Sequence, residues 1–264
     1  MAERLQKVLA RAGFGSRRQL EDWIRDGRIM VNGQRAEIGA SVEPTDLVKI
    51  DGRSVSIATD PAYAARKLLY HKPAGELTTR RDEAGRPTVF DNLPRIKNGR
   101  WIAVGRLDFN TSGLLLMTTD GELAHRLMHP SWELEREYAV RVLGKADEAV
   151  LQRLQEGVML DDGMAAFTSL EDAGGQGVNH WYHVVVREGR NREVRRMWES
   201  QGLKVSRLIR IRYGPVSLPR DLRAGRFQDP TRAELEALYA SVDLPAPEPR
   251  PQRRAAAGRR KRRP

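Results

Sequence analysis

A carboxylate in a glycine-bounded polar loop is the first feature of this sequence with chemistry in it. Asp108 stands in Gly105-Arg106-Leu107-Asp108-Phe109-Asn110-Thr111-Ser112-Gly113, between the apolar runs Trp101–Val104 and Leu114–Met117. Loops held by rigid strands often carry catalytic groups, and an Asp there can act as nucleophile or base. The same spacing also suits a turn-forming Asp that pairs locally with Arg106. Taken by themselves, Tyr138 reads as a strand residue packed in the core and Arg195 as a helix-surface partner of Glu199 at i,i+4. His125 and His129 have the spacing of two metal ligands on one helix face. No third ligand is evident and the stretch lacks the Glu of a zinc-protease motif, so a surface pair or a polar contact to a partner is expected and no metal. The chain has no cysteine, which excludes disulfides, thiolate nucleophiles and cysteine-bound metals.

The elements that must position these residues fall into a short front module and a longer second unit. In the front module, Leu5, Val8 and Leu9 form one helical face, broken at Gly13-Phe14-Gly15. Ser16 with Gln19 makes a capping box for a second helix, whose apolar face is Leu20, Trp23 and Ile24 and which Gly27 ends. Strand-like runs follow at Ile29–Val31 and Leu47–Ile50, with Asn32-Gly33 as a hairpin signal. Ser54 to Arg66 reads as a linker.

From Lys67 to about Leu244, strand-like runs alternate with short helices. The runs are Leu68–Tyr70, Trp101–Val104, Leu114–Met117, Tyr138–Val142, Trp181–Val186 and Leu208–Ile211. Helices are expected after a Thr119/Glu122 capping box, over Asp147–Glu156, over Asn191–Gln201, and after a Thr231/Glu234 capping box. The spacing is too irregular for repeated βαβ units, so the fold class is α+β with a largely antiparallel mixed sheet. The boundaries read as 1–60 for the front module, 61–66 for the linker, 67–244 for the second unit and 245–264 for a disordered basic tail.

The net charge of +11 in 264 residues is unevenly placed. Residues 246–264 hold eight basic side chains and one acid, a net of +7, which leaves +4 for all the rest. Residues 1–35 carry eight basic groups against four acidic, so the helical half of the front module is its cationic half. Such clustering suits a polyanion or simply a solvated surface. No apolar run approaches the eighteen or so residues of a membrane span, and the N-terminus lacks a signal peptide's apolar core. A cytoplasmic protein with no membrane partner is expected.

The stretch RLQKVLARAGFGSRRQLEDWIRDGRIMVNG resembles the small RNA-binding domain named after ribosomal protein S4, which implies that Arg11, Arg17, Arg18 and Arg25 meet phosphates. GRLD followed by NTSGLLLMTTDGEL is similar to the signature loop of pseudouridine synthases. HKPAGELTTRRDEAGRPTVFDNLP, ELEREYAVRVLG and EGRNREVRRMWESQGLKVSRLIRIRYG agree with the same family in the same order. Together these blocks resemble the RsuA/RluB family of ribosomal RNA pseudouridine synthases, and the long second block looks closest to members acting on 23S rRNA of the large subunit. A more distant branch carries His-Gln where this chain has Arg192-Glu193.

The resemblance implies an isomerase that converts a uridine of 23S rRNA, or of a large-subunit precursor, to pseudouridine. The alternatives are a synthase acting on 16S rRNA or tRNA, and a non-catalytic ribosome-assembly RNA-binding protein. By the same resemblance Asp108 is the catalytic carboxylate, Tyr138 stacks on the target base, Arg195 pairs with the aspartate, and Arg106 fills the gap left by the flipped nucleotide. Lys72, Arg190, Asn191 and Arg192 are implied RNA contacts. No external atom enters the reaction, so neither cofactor nor metal is expected, and a monomer is.

Overall fold

The computed structural model describes residues 2–57, 65–96 and 99–248. Its first element is a two-residue strand β1 (Glu3–Arg4), followed by α1 (Leu5–Ala12) and α2 (Arg17–Arg25). Ser16 accepts from the Gln19 backbone while the Gln19 side chain returns to Ser16, so the capping box forms as the sequence predicts. Strands β2 (Ile29–Val31), β3 (Gln34–Arg35), β4 (Ser41–Val42), β5 (Val48–Ile50) and β6 (Arg53–Val55) follow. Asn32 and Gly33, both with positive φ, turn β2 into β3. The sheet β3-β2-β5-β6 closes over Leu5, Leu9, Leu20, Ile24, Ile29, Val48 and Ile57, a core of its own. Ser54 and Val55 therefore belong to a strand, and Ile57 to the core, rather than to a linker. The remainder of the expected linker, through Ala64, lies outside the described residues.

The second unit runs β7 (Lys67–Lys72), β8 (Ile102–Ala103), β9 (Ser112–Thr118), α3 (Gly121–Met128), β10 (Arg136–Leu143), α4 (Glu148–Glu156), β11 (Val158–Leu160), β12 (Gly163–Ala165), β13 (Ser169–Gln176), β14 (Asn179–Val186), α5 (Glu193–Ser200), β15 (Val205–Tyr213), β16 (Val216–Ser217), β17 (Phe227–Gln228) and α6 (Arg232–Ala240). Its main sheet has the order β13-β14-β10-β15-β9-β7-β17, with β16 on β15 and β8 on β9. Among the described residues every pairing in it is antiparallel except β15 with β9. That parallel pair is short, Ile209 with Ser112 and Arg210 with Gly113, and it joins two half-sheets. It is possible only because Gly113 has no side chain: a Cβ there would lie 2.3 Å from the Arg210 oxygen, and its φ of +113° suits glycine.

Three cores hold the halves. Helices α4 and α5 cover one face of β14-β10-β15 around Tyr182, Trp198, Phe167, Val140 and Leu208. Helices α3 and α6 cover β9 and β7 around Leu114, Leu116, Leu123, Tyr213 and Leu238. Leu68, Tyr70, Leu115 and Met117, on the other side of those two strands, are covered by Val89, Leu93, Trp101 and Leu107. Tyr138 packs against the first and the third of these cores, at the join.

Two helix starts differ from the sequence reading. The cap of α3 is Asp120, which accepts from the Glu122 and Leu123 backbones, because the Thr119 hydroxyl is occupied by the Arg66 N–H. Helix α5 begins at Glu193, since Arg192 adopts φ +49°. The expected tail also begins later: Ala246 packs on the α3/α6 core, and Arg232 donates to the Pro247 carbonyl (2.6 Å). Its residues from 249 onward lie outside the described ones. The front module meets the second unit where Gly13 abuts Gly99, whose N–H donates to Ala12 (3.4 Å), and where Lys7 pairs with Glu122 (3.6 Å). Among the described residues no helix is long and apolar enough to cross a membrane.

Candidate active site

Five consecutive carbonyls, from Leu107 to Thr111, are each taken by a donor from outside the strand that follows. The Thr78 hydroxyl donates to Leu107 O (2.9 Å) and accepts from Leu107 N (3.2 Å). The Lys72 ammonium donates to Asp108 O (3.0 Å), to Thr111 O (2.8 Å) and, at the same end, to Pro73 O (2.9 Å). Gly75 N donates to Phe109 O (2.8 Å), and Arg195 Nη2 to Asn110 O (2.9 Å). Thr111 N returns to Asp108 O (3.0 Å), closing a turn on the carboxylate-bearing residue. With its main chain so engaged, the loop presents only side chains: Asp108 is half-buried, while Arg106, Phe109 and Asn110 are exposed. A group held by fixed hydrogen bonds on rigid strands needs little reorganisation when it reacts.

Lys72 is 0% exposed, so it cannot be the RNA contact expected from the sequence. It lies on the inward face of β7 with Leu68 and Tyr70 and clasps the loop from beneath. Burial lowers its pKa to about 8; Glu76 and Asp108 oppose the shift and Arg210 adds to it. Glu76, itself buried, accepts from Tyr70 Oη (2.6 Å) and Asn92 Nδ2 (3.0 Å), which fixes the start of the segment covering this side of the sheet. Desolvation and the Glu76 carboxylate push the Tyr70 phenol above its usual range.

Arg195 is also buried, at 6% exposure. It makes no ion pair with Glu199, which instead faces Arg192 (3.7 Å). It is also not in ion-pair contact with Asp108, as the resemblance implied; its guanidinium spans the join, donating to Val205 O (3.1 Å) and Asn110 O. Burial and the charge of Arg192 pull its pKa down, while Asp108 and Glu199 push it back, so the aspartate and the guanidinium act on each other through space. Arg195 thus holds the residue two positions beyond Asp108 and contributes positive potential.

Tyr138 stands between Arg210 and Val184 in register, half-buried at the mouth between the two cores. Among the described residues Arg106 has no acid or hydrogen-bond partner, and Asn191 and Arg192 are exposed. Arg190 is different. It pairs with Glu188 (2.6 Å), Asp162 (3.3 Å) and Glu193 (3.4 Å) and donates to the Gly163 and Met164 carbonyls, pinning the β11–β12 hairpin rather than offering itself to RNA. In the front module Arg11 grips Glu3 with both terminal nitrogens (2.9 and 3.0 Å) and Arg25 pairs with Asp22 (2.6 Å). Arg17 and Arg18 are exposed and have no acid partner among the described residues. His125 and His129 pack edge to face at 5.6 Å, with His129 Nδ1 on the Ser131 hydroxyl.

Sequence reasoning missed two residues of this site. Thr78 carries no signal that distinguishes it from other loop threonines. Arg210 is 2% exposed and donates from Nε to Leu114 O (2.8 Å), bridging the two half-sheets beside Tyr138. Its place in Arg207-Leu208-Ile209-Arg210-Ile211 put it on the face of Leu208, so the alternation of the strand could have flagged it.

Both units of the chain have matches among known proteins. The profile of the RNA pseudouridylate synthase family matches residues 66–200, and that of the S4 domain matches residues 3–48. The chain belongs to the RNA pseudouridylate synthase family. It is 56% identical over 247 residues to the ribosomal large subunit pseudouridine synthase B of Escherichia coli K12, covering 93% of this chain and 85% of that one. The Pseudomonas aeruginosa protein of the same name is 56% identical over 245 residues, 92% of this chain, which spans 64% of that longer relative. A solved pseudouridylate synthase superposes with a TM-score of 0.63 at 26% identity, over 89% of this chain and 99% of that one.

Proposed function

We propose that this chain converts a uridine in 23S rRNA of the large ribosomal subunit, or in its precursor, to pseudouridine, with Asp108 as the catalytic carboxylate. The carrying observation is the clamped loop, in which five successive carbonyls are engaged and the Asp108 side chain is left at the join of the half-sheets. The large-subunit substrate is supported by the names of the relatives at 56% identity.

In this reading residues 1–60 dock RNA, chiefly through Arg17 and Arg18, and residues 67–244 perform the reaction. The target uridine leaves its stack, at a cost of a few kcal/mol. Tyr138 stacks on the extruded base, which recovers on the order of 1–3 kcal/mol, and Arg106, unpaired on the loop, fills the gap with its flat guanidinium. Asn191 and Arg192 contact the flanking backbone. The bond from N1 of uracil to the ribose breaks, the base turns while bound, and a bond from C5 replaces it. C5 loses a proton and N1 gains one, so the composition is unchanged and no co-reactant is consumed. Arg195 and the Lys72 ammonium supply positive potential around the Asp108 loop. A single chain supplies every group named, which supports a monomer, and the ribosomal substrate supports a cytoplasmic location.

Mapping pseudouridine in rRNA from cells lacking the protein tests the assignment. One 23S position should lose the modification and regain it with the wild-type gene but not with Asp108→Asn. Loss confined to 16S rRNA or tRNA would overturn the substrate, and an unchanged map the function.

A further inference from the structure

A groove of about 860 Å³ runs along the sheet face opposite Tyr138 and past β15 to Leu208, Arg195 and Glu199, and its walls are cationic. The register of β10 with β15 puts Tyr138 beside Arg210 and Val140 beside Leu208 on one face, so Arg207 and Ile209 alternate to the other. Arg207, Ile209 and Ile211 line the groove, whereas neither Asp108 nor Tyr138 does. Lys204, Arg207 and Arg220 stand exposed along it without an acid partner among the described residues, and Arg192 lines it as well. The one carboxylate in the lining, Glu199, is already opposite Arg192 at 3.7 Å. Arg195 lines the groove too, and its buried Nε has no hydrogen-bond partner.

We propose that this groove binds the sugar–phosphate backbone of the substrate RNA, as a second contact separate from the Tyr138 side; the inference rests on the RNA substrate proposed above. The occupant follows from charge and shape. Three unpaired cations with one neutralised acid attract a polyanion, and the isoleucines between them give riboses and bases an apolar floor. The chain's own basic tail would be repelled. Asn110 borders the groove and is only two residues from Asp108. An RNA strand leaving the Asp108 side therefore crosses Asn110 and Arg192 and enters the groove, so the RNA turns around the edge of the loop it is modified by.

The test is binding of a 23S rRNA fragment across a salt series, comparing wild type with Lys204→Gln/Arg207→Gln and with a control, Lys145→Gln/Arg153→Gln, which removes the same charge from exposed positions outside both the groove and the front module. Each phosphate contact to a single strand contributes a salt slope of about 0.7, so losing two contacts lowers the slope by about 1.4. Between 50 and 200 mM salt, wild type should then lose about sevenfold more affinity than the groove variant. The control should follow wild type. Single-turnover modification at saturating enzyme should be unchanged in the groove variant, which also reports that it is folded. A groove variant with wild-type slope, or a control that loses as much slope, overturns the proposal. A wild-type protein that binds the fragment but makes no pseudouridine overturns the proposed function and leaves the groove tested by binding alone.

Discussion

Replacing Lys72 by methionine removes the ammonium that holds the carbonyls of Pro73, Asp108 and Thr111 while filling nearly the same volume. Hydrogen bonds to a charged group contribute roughly 1.5–3 kcal/mol each. Against this stands the burial of the charge: a fall from the ordinary 10.5 to about 8 corresponds to roughly 3 kcal/mol. Three such bonds sum to roughly 4.5–9 kcal/mol, so Lys72→Met should cost about 1.5–6 kcal/mol of global stability, a fall of at least about 3 °C in Tm for a chain of this size. The loop is affected quite differently. With two of its five clamped carbonyls released, Asp108 is no longer held, and a displacement of about 1 Å can cost on the order of 100-fold in rate.

The expected result is a fall in single-turnover rate of about 100-fold, with RNA affinity unchanged because the ammonium does not reach the surface. The pH dependence carries the same signature. The folded pKa lies below the unfolded one, so the charge-burial penalty is present in full below about pH 8 and is relieved as pH rises through 8 toward 10.5. Stability should therefore gain from this group as the Lys72 ammonium loses one of its three N–H donors and activity declines. Lys72→Met should abolish both trends. Weakened RNA binding at an unchanged rate would refute the reasoning and make Lys72 an RNA contact after all.

Three further outcomes follow from the same geometry. Arg195→Met should lower the modification rate by at least 100-fold and also cost about 2–4 kcal/mol, read by urea denaturation, because it empties two carbonyls at the join; a purely thermal effect with normal turnover would contradict a role beside Asp108. Gly113→Ala should destabilise by about 2–5 kcal/mol through backbone strain and the clash with Arg210, with soluble yield and Tm as readouts. Truncation after Glu248 removes eight basic residues, so association with rRNA should slow most at low salt while mapping still finds the same uridine; a shifted position would mean that the tail selects the target.

Much of this was legible in the sequence. The spacing around Asp108 suited a turn as well as a catalytic loop, and the resemblance of that loop to a family signature singled it out, while the capping boxes at Ser16 and Thr231 formed as written. The failures share a cause: an unpaired cation in a sequence reads as exposed. Lys72 and Arg195 have their acceptors in main-chain carbonyls 36 or more and 85 residues away, respectively, apart from Pro73 and Val205 nearby. Arg190 has one acid partner two residues back and another, Asp162, 28 residues back, so its role as a pin for the β11–β12 hairpin needs the fold. Thr119 and Asp120 are equally good caps on paper, and only the Arg66 N–H decides between them. Strand β13, Ser169–Gln176, was not anticipated because its side chains are mostly polar and solvent-facing with two glycines; main-chain pairing with β14 makes it a strand.

The central claim is that the Asp108 carboxylate, on its clamped loop, does the chemistry. Asp108→Asn keeps the shape of the side chain and every hydrogen bond to the main chain of the loop, and removes one negative charge. The direct measurement is single-turnover conversion of a 23S rRNA fragment at saturating enzyme, with affinity measured in parallel. The account predicts no detectable pseudouridine, RNA affinity within about threefold of wild type, and an unchanged Tm within about 2 °C, as expected for a half-exposed position. Turnover near the wild-type rate would contradict it.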